Sequence, residues 1–196
     1  MVRATRGQIP QPGGKSAGDQ PSFERLIAAL REPKCYPNPV RRVDVVETHI
    51  SCILLTGDYA YKIKKPVNLG FLDFRSLEAR RFYCEEELRL NRRTAPLLYL
   101  NVVVVTGSES KPVLGGAGHA IEYAVRMRQF PQQALLDRMA KSGTLTPKHL
   151  DDLARVVAEF HSGIERAGAE RPYGSPQRVL APAIQDRKST RLNSSH

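Results

Sequence analysis

The 196-residue sequence has no tryptophan, three cysteines, no long apolar run and a shortage of acid. Each shortage excludes something. Cys35, Cys52 and Cys84 are odd in number and scattered, with no C-x-x-C pair, so neither a disulfide framework nor a zinc knuckle is expected. They read as buried thiols. The longest apolar stretches, such as LYLNVVVV from Leu98 to Val105, fall far short of the roughly 20 residues of a membrane-spanning helix. The N-terminus MVRATRGQIPQPGGKSAGDQ offers no apolar segment for secretion. A cytoplasmic, non-membrane protein is expected. No internal repeat is visible.

With 41% hydrophobic and 26% charged residues, the composition is that of a globular protein of one domain or two small ones. Thirty basic residues against 20 acidic ones give a net charge of +10. Part of that charge is foreign to the fold. Residues 186 to 196, DRKSTRLNSSH, resemble the translation of a sequencing-adapter oligonucleotide, and they hold three bases and one acid. Without them 27 bases oppose 19 acids, a balance of +8. The expectation is that the gene is cut at that point and that natural sequence beyond Gln185 is missing.

Residues 1 to 20 mix glycine, proline and charge with little to bury, and are expected to be a disordered lead. Ser22 is placed to cap a short helix carrying Phe23, Leu26, Ile27 and Leu30 on one face, which Pro33 ends. VRRVDVVETH and ISCILLT are rich in β-branched residues, and Gly57-Asp58 has the chemistry of a two-residue hairpin into YAYKIKK. In that third strand Tyr59, Tyr61 and Ile63 share one face and Ala60, Lys62 and Lys64 the other. Lys65 points away from Lys62, and Pro66 closes the strand. Three strands in an antiparallel meander follow.

Ser76 is the expected cap of a long charged helix from Leu77 that Pro96 ends. On it Phe82, Glu86 and Leu90 are spaced i, i+4, i+8, which places Glu86 inside an apolar stripe and leaves Glu85 and Glu87 to solvent. Two further strands, LYLNVVVVTG and IEYAVRMRQF, are joined by the polar turn SESKPVLGGAGHA, for a total of five. Helices follow: PQQALLDRMAKSG from Pro131, then a helix capped by Thr146 whose apolar face is Leu150, Leu153, Ala154, Val157, Ala158 and His161. His161 on that stripe reads as a core histidine. A chain cut after Gln185 would leave this face exposed, and the segment from Ile164 to Gln185 reads as an unfinished loop.

This order of elements resembles the smaller lobe of protein-kinase-like phosphotransferases. YAYK at Tyr59 to Lys62 stands where kinases carry V-A-I-K. More closely, ETHISCILLTGDYAYKIKKPVNLGFLDF, CEEELRLNRRTAP, EYAVRMRQFPQQALLDRM and LARVVAEFH resemble the N-terminal half of bacterial aminoglycoside-phosphotransferase-like proteins, often fused to a downstream P-loop kinase domain. The likeness covers about residues 24 to 180. It implies an α+β fold: a five-stranded antiparallel small lobe with hinge over residues 21 to 130, then the first helices of a truncated helical lobe over 131 to 185.

The resemblance also implies a site. Lys62, oriented by Glu86, would hold ATP phosphates, with Lys64 as the alternative. Ala60 would lie against adenine, and Met127, Arg128, Gln129 and Phe130 would form the hinge. ATP with Mg2+ is the implied cofactor pair, and a small molecule of unassigned chemistry the phosphate acceptor. A carboxylate about 4 Å from the lysine is worth about 4 kcal/mol at an effective dielectric near 20. Two departures stand out. No G-x-G-x-x-G precedes the second strand, where VETHIS leaves a covering loop to backbone amides and Thr48. No catalytic loop with its aspartate base, asparagine and metal-binding aspartate is present, so the fragment alone is expected to be inactive.

Two other classes fit less of the sequence. The Arg-Arg pairs at 41–42, 80–81 and 92–93 near Tyr59, Tyr61 and Phe71 suggest a nucleic-acid platform, but no recognition motif accompanies them and glutamates share their helix. A non-catalytic pseudokinase or scaffold would keep the same nucleotide site. The residues beyond Gln185 would separate the enzyme from the scaffold.

Overall fold

Strand propensity and turn chemistry organise the chain into a six-stranded antiparallel sheet with helices on it, seen in a computed structural model that describes residues 19–70, 72–166, 168, 175–181 and 184. The expected lead before residue 19, Phe71 and the adapter-like tail lie outside the described residues. The chain divides into a unit through His149 and a second from Leu150.

The first unit opens with α1 (Asp19–Ala29) and a 3-10 turn at Pro33–Cys35. Then come β1 (Asp44–Glu47), β2 (Ser51–Leu55), β3 (Tyr59–Lys64), α2 (Leu77–Asn91), β4 (Tyr99–Ser108), β5 (Lys111–Leu114) and β6 (Glu122–Arg128). The strand order is β1-β2-β3-β6-β4-β5. The fold is thus α+β, with the expected meander of β1 to β3. Gly57 turns β2 into β3 at φ +98°, with Thr56 donating its amide to the Tyr59 carbonyl at 2.9 Å. Positive φ at the first central residue is where a glycine belongs in such a hairpin.

Two expectations are corrected here. Ser22 does not cap α1, which starts at Asp19. Its hydroxyl instead donates to Glu109 in the β4–β5 turn, and Arg25 reaches the same carboxylate at 2.8 Å. The polar turn between the last two strands contains a strand of its own, β5, so the sheet has six strands. KPVL escapes the alternation pattern because it is four residues long and holds a proline. As the edge strand, it has no outer neighbour that needs the Pro112 amide.

The core follows the amphipathic face of α1. Phe23, Leu26, Ile27 and Leu30 are buried against Leu54, Tyr61, Ile63, Val105, Leu114 and Ala124. Each fully buried side chain of this size contributes about 1.5–3 kcal/mol. Tyr36 packs its ring 5.4 Å from that of Tyr61, and its hydroxyl donates to the Leu30 carbonyl at 2.7 Å. Burial pushes the Tyr36 phenol far above its ordinary range. All three cysteines are buried free thiols, as expected. The greasy face of β3 is therefore the α1 side, and the face of Ala60, Lys62 and Lys64 is turned to α2.

After β6, Gln129 to Pro131 lead into a 3-10 turn at Gln132–Ala134 and α3 (Leu136–Lys141), in place of one continuous helix from Pro131. The break is at Leu135, whose ψ of 132° is extended. Pro147 then begins α4 (Pro147–Gly163). In α4 Leu150, Leu153 and Val157 are exposed, and so is His161, which is not a core histidine. No described helix is long and apolar enough to cross a membrane.

Candidate functional site: two lysines on one glutamate

Antiparallel register decides which side chains share the α2 side of the sheet. Leu55, Ala60, Met127 and Tyr99 form one row across β2, β3, β6 and β4. Ile53, Lys62, Val125 and Val102 form the next. Ala60 and Val125 are buried, and the other apolar members are half-buried. Lys62 thus emerges beside a shallow apolar floor. Two residues on, Lys64 lies deeper, its side chain 6% exposed against 24% for Lys62.

Helix α2 supplies the countercharge. The Ser76 hydroxyl accepts from the Ala79 amide at 3.1 Å, which fixes where the helix starts. The inward positions are Arg80, Cys84 and Glu87, not the expected Phe82, Glu86 and Leu90. Glu86 points outward and is held by Arg89 at 2.7 Å, and Leu90 is exposed. The expected pairing of Lys62 with Glu86 is therefore wrong by one residue: Lys62 Nζ meets Glu87 Oε1 at 2.8 Å. The cause is the sheet surface. Lysines on β3 recruit a carboxylate to the inward positions, so the apolar stripe does not mark the buried side of this helix.

Lys64 Nζ binds the other oxygen, Glu87 Oε2, at 2.7 Å, and sits 5.0 Å from the centre of the Phe74 ring. One carboxylate serves two ammonium groups. Burial pushes the Glu87 carboxyl up, but Lys64 and Lys62 outweigh it and hold the group below the usual glutamate range. Burial also pushes the neighbouring Cys84 thiol up to about 12, so it is not a nucleophile. Tyr99, raised first by burial and then by Glu87, borders the same cluster.

Lys65 points away and pairs with Glu47 at 2.9 Å. Arg128 is the last residue of β6 and Gln129 follows it, but the amides of both are engaged. Arg128 donates to Leu98 O at 2.9 Å and Gln129 to Asp58 O at 3.0 Å. Among the described residues, Phe130 is the hinge residue whose amide has no main-chain partner. The hydroxyl of Thr48 is also engaged: it accepts from the Ser51 amide at 3.0 Å and closes its own turn.

Sequence reasoning missed a second buried pair, Arg80 of α2 with Glu122 of β6, at 2.8 Å. The signal available was Arg-Arg at 80–81, which has the look of solvated charge. Arg81 does lie outward on Glu85, and Arg92 binds the carbonyls of Tyr99 and Leu100. Several of the arginines that suggested a nucleic-acid platform are thus tied internally. No group of three His, Cys, Asp or Glu able to hold a metal occurs among the described residues.

Over 124 residues, 63% of the chain, the sequence is 37% identical to uncharacterized proteins of Mycobacterium tuberculosis and Mycobacterium bovis. The chain spans 23% of the length of these relatives. No family model matches the chain, and no solved structure matches it.

Proposed function

We propose that this chain is the nucleotide-binding portion of an ATP-dependent phosphotransferase, with a kinase-like small lobe of the aminoglycoside-phosphotransferase-like kind. The observation that carries the reading is the Lys62–Glu87 pair, formed between the A-x-K strand and the helix that follows it. Phosphoryl transfer asks a protein mainly for positioning and charge neutralisation, so a lysine helps when its ammonium is held in place before the phosphates arrive. Glu87, 12% exposed and fixed on a helix capped by Ser76, does that.

The apolar row ahead of the lysine supports a purine. Ala60 carries the smallest side chain of that row, and the half-buried Leu55 and Met127 flank it. A ring laid on that row would leave its phosphates toward Lys62, two residues along β3 from Ala60. The acceptor molecule is set by other surfaces of the whole protein.

Equilibrium binding of ATP to the chain tests this. ATP should bind in the micromolar to millimolar range, and Lys62→Met should weaken it by about tenfold or more while the variant still unfolds cooperatively. An intact chain indifferent to ATP, or a Lys62→Met variant that binds equally well, overturns the reading.

A further inference from the structure

The pairing of one carboxylate with two lysines is more than a strand lysine needs for orientation. A single Lys–Glu pair is neutral, whereas Lys62, Lys64 and Glu87 together carry a net charge of +1. No other carboxylate among the described residues is paired with either ammonium. An excess charge taken out of water is costly unless a counter-ion meets it. That excess lies at Lys62, the more exposed of the two ammonium groups.

The two lysines are not equivalent. Lys64 is the deeper, boxed between Glu87 Oε2 at 2.7 Å and the face of Phe74 at 5.0 Å, where the ring quadrupole favours a cation. Lys62 takes the other oxygen and is the more open, at the border of the apolar row. Because each carboxylate oxygen is committed to one ammonium, Glu87 cannot swing toward Lys62 and cancel it fully.

Building on the nucleotide reading above, we propose that Lys64 is a positioning residue. It holds Glu87 from the buried side, so that the carboxylate orients Lys62 while the surplus positive charge remains for a polyphosphate. Several closely spaced phosphate oxygens match a lysine held this way, and an uncharged nucleoside gains nothing from it.

The experiment measures binding of ATP, inorganic tripolyphosphate and adenosine to the intact chain and to Lys64→Gln. The variant should bind ATP and tripolyphosphate about tenfold more weakly or worse, with adenosine binding unchanged. A general loss of structure would weaken all three together, so an equal effect on adenosine overturns the proposal, as does undiminished tripolyphosphate binding. If the wild-type chain binds neither ATP nor tripolyphosphate, the nucleotide reading itself fails. Lysine acylation of the wild-type chain, read by peptide mass, decides the case where Lys64→Gln does not fold. Lys62 should react in the free chain and be protected by tripolyphosphate, with Lys64 unreactive in both states. Protection of Lys64 that depends on tripolyphosphate would make it a direct ligand and overturn the positioning role.

Discussion

Arg80 on α2 grips both carboxylate oxygens of Glu122 on β6 through its Nε, at 2.9 and 2.8 Å. Its Nη1 donates in addition to the carbonyls of Phe74 and Arg75, at 3.0 and 2.8 Å. One guanidinium thus joins the helix, the loop before it and the sheet. Removing one partner of a buried pair leaves an uncompensated charge, so Arg80→Met should cost about 3–5 kcal/mol in urea unfolding. Burial pushes the Glu122 carboxyl up, with Arg80 opposing. In the variant that opposition is gone. A raised carboxyl gains stability as pH falls through its folded value, so the penalty should be smaller at pH 5 than at pH 8. A penalty independent of pH would show that Glu122 stays ionised without Arg80.

Adjacent glutamates should behave oppositely. Glu86→Gln breaks an exposed i,i+3 pair with Arg89 and should change stability by no more than about 0.5 kcal/mol. Glu87→Gln strands two lysines and should cost about 3 kcal/mol, at the lower end for a buried pair because Lys62 is partly open. Chemical denaturation of the two variants side by side checks the helix phase directly.

Acid should unfold the chain partly through Glu87. Its folded value lies below the ordinary 4.5, since Lys64 and Lys62 overcome the burial that raises it. A depressed carboxyl contributes stability that is fully present above its unfolded value and is lost as pH falls through the folded one. The contribution of Glu87, read as the difference in stability between the wild-type chain and Glu87→Gln, should therefore stay level from pH 6 to about 4.5 and then decline. Below that point stability should fall less steeply in Glu87→Gln than in the wild-type chain.

Gly107 is held at φ +88°, and a Cβ there would stand 2.4 Å from the Lys111 carbonyl oxygen. Gly107→Ala faces both backbone strain and a clash with main chain that cannot swing away. It should lower stability by about 1–3 kcal/mol. At Gly57, with φ +98° and open space around it, alanine meets the strain alone and should cost less than at Gly107. A thermal melt of each variant ranks them.

Amide exchange should be slow in β2, β3 and β6, the inner strands lined by Cys52, Leu54, Tyr61, Ile63 and Ala124. It should be faster in α4, where Leu150, Leu153, Val156 and Val157 are exposed. Equal protection of the two would mean that the α4 stripe is covered in solution, by association of copies or by other parts of the chain.

Local rules made much of this legible from the sequence alone. Alternation in YAYKIK put Tyr61 and Ile63 opposite Lys62 and Lys64, since strand geometry has a period of two wherever the strand lies. Ser76 marked the start of α2, and Gly57-Asp58 the hairpin, because caps and turns are satisfied by atoms a few residues away. The tertiary structure alone decided what those faces meet. Nothing within α2 distinguishes Glu86 from Glu87; the distinction comes from lysines 23 and 25 residues earlier, whose charge must be answered. Arg80 looks like a solvated charge until Glu122, 42 residues away, is folded beneath it. β5 exists because β4 offers it an edge. Secondary structure obeys neighbours in sequence, whereas the pairing of buried charges obeys neighbours in space, which the fold creates.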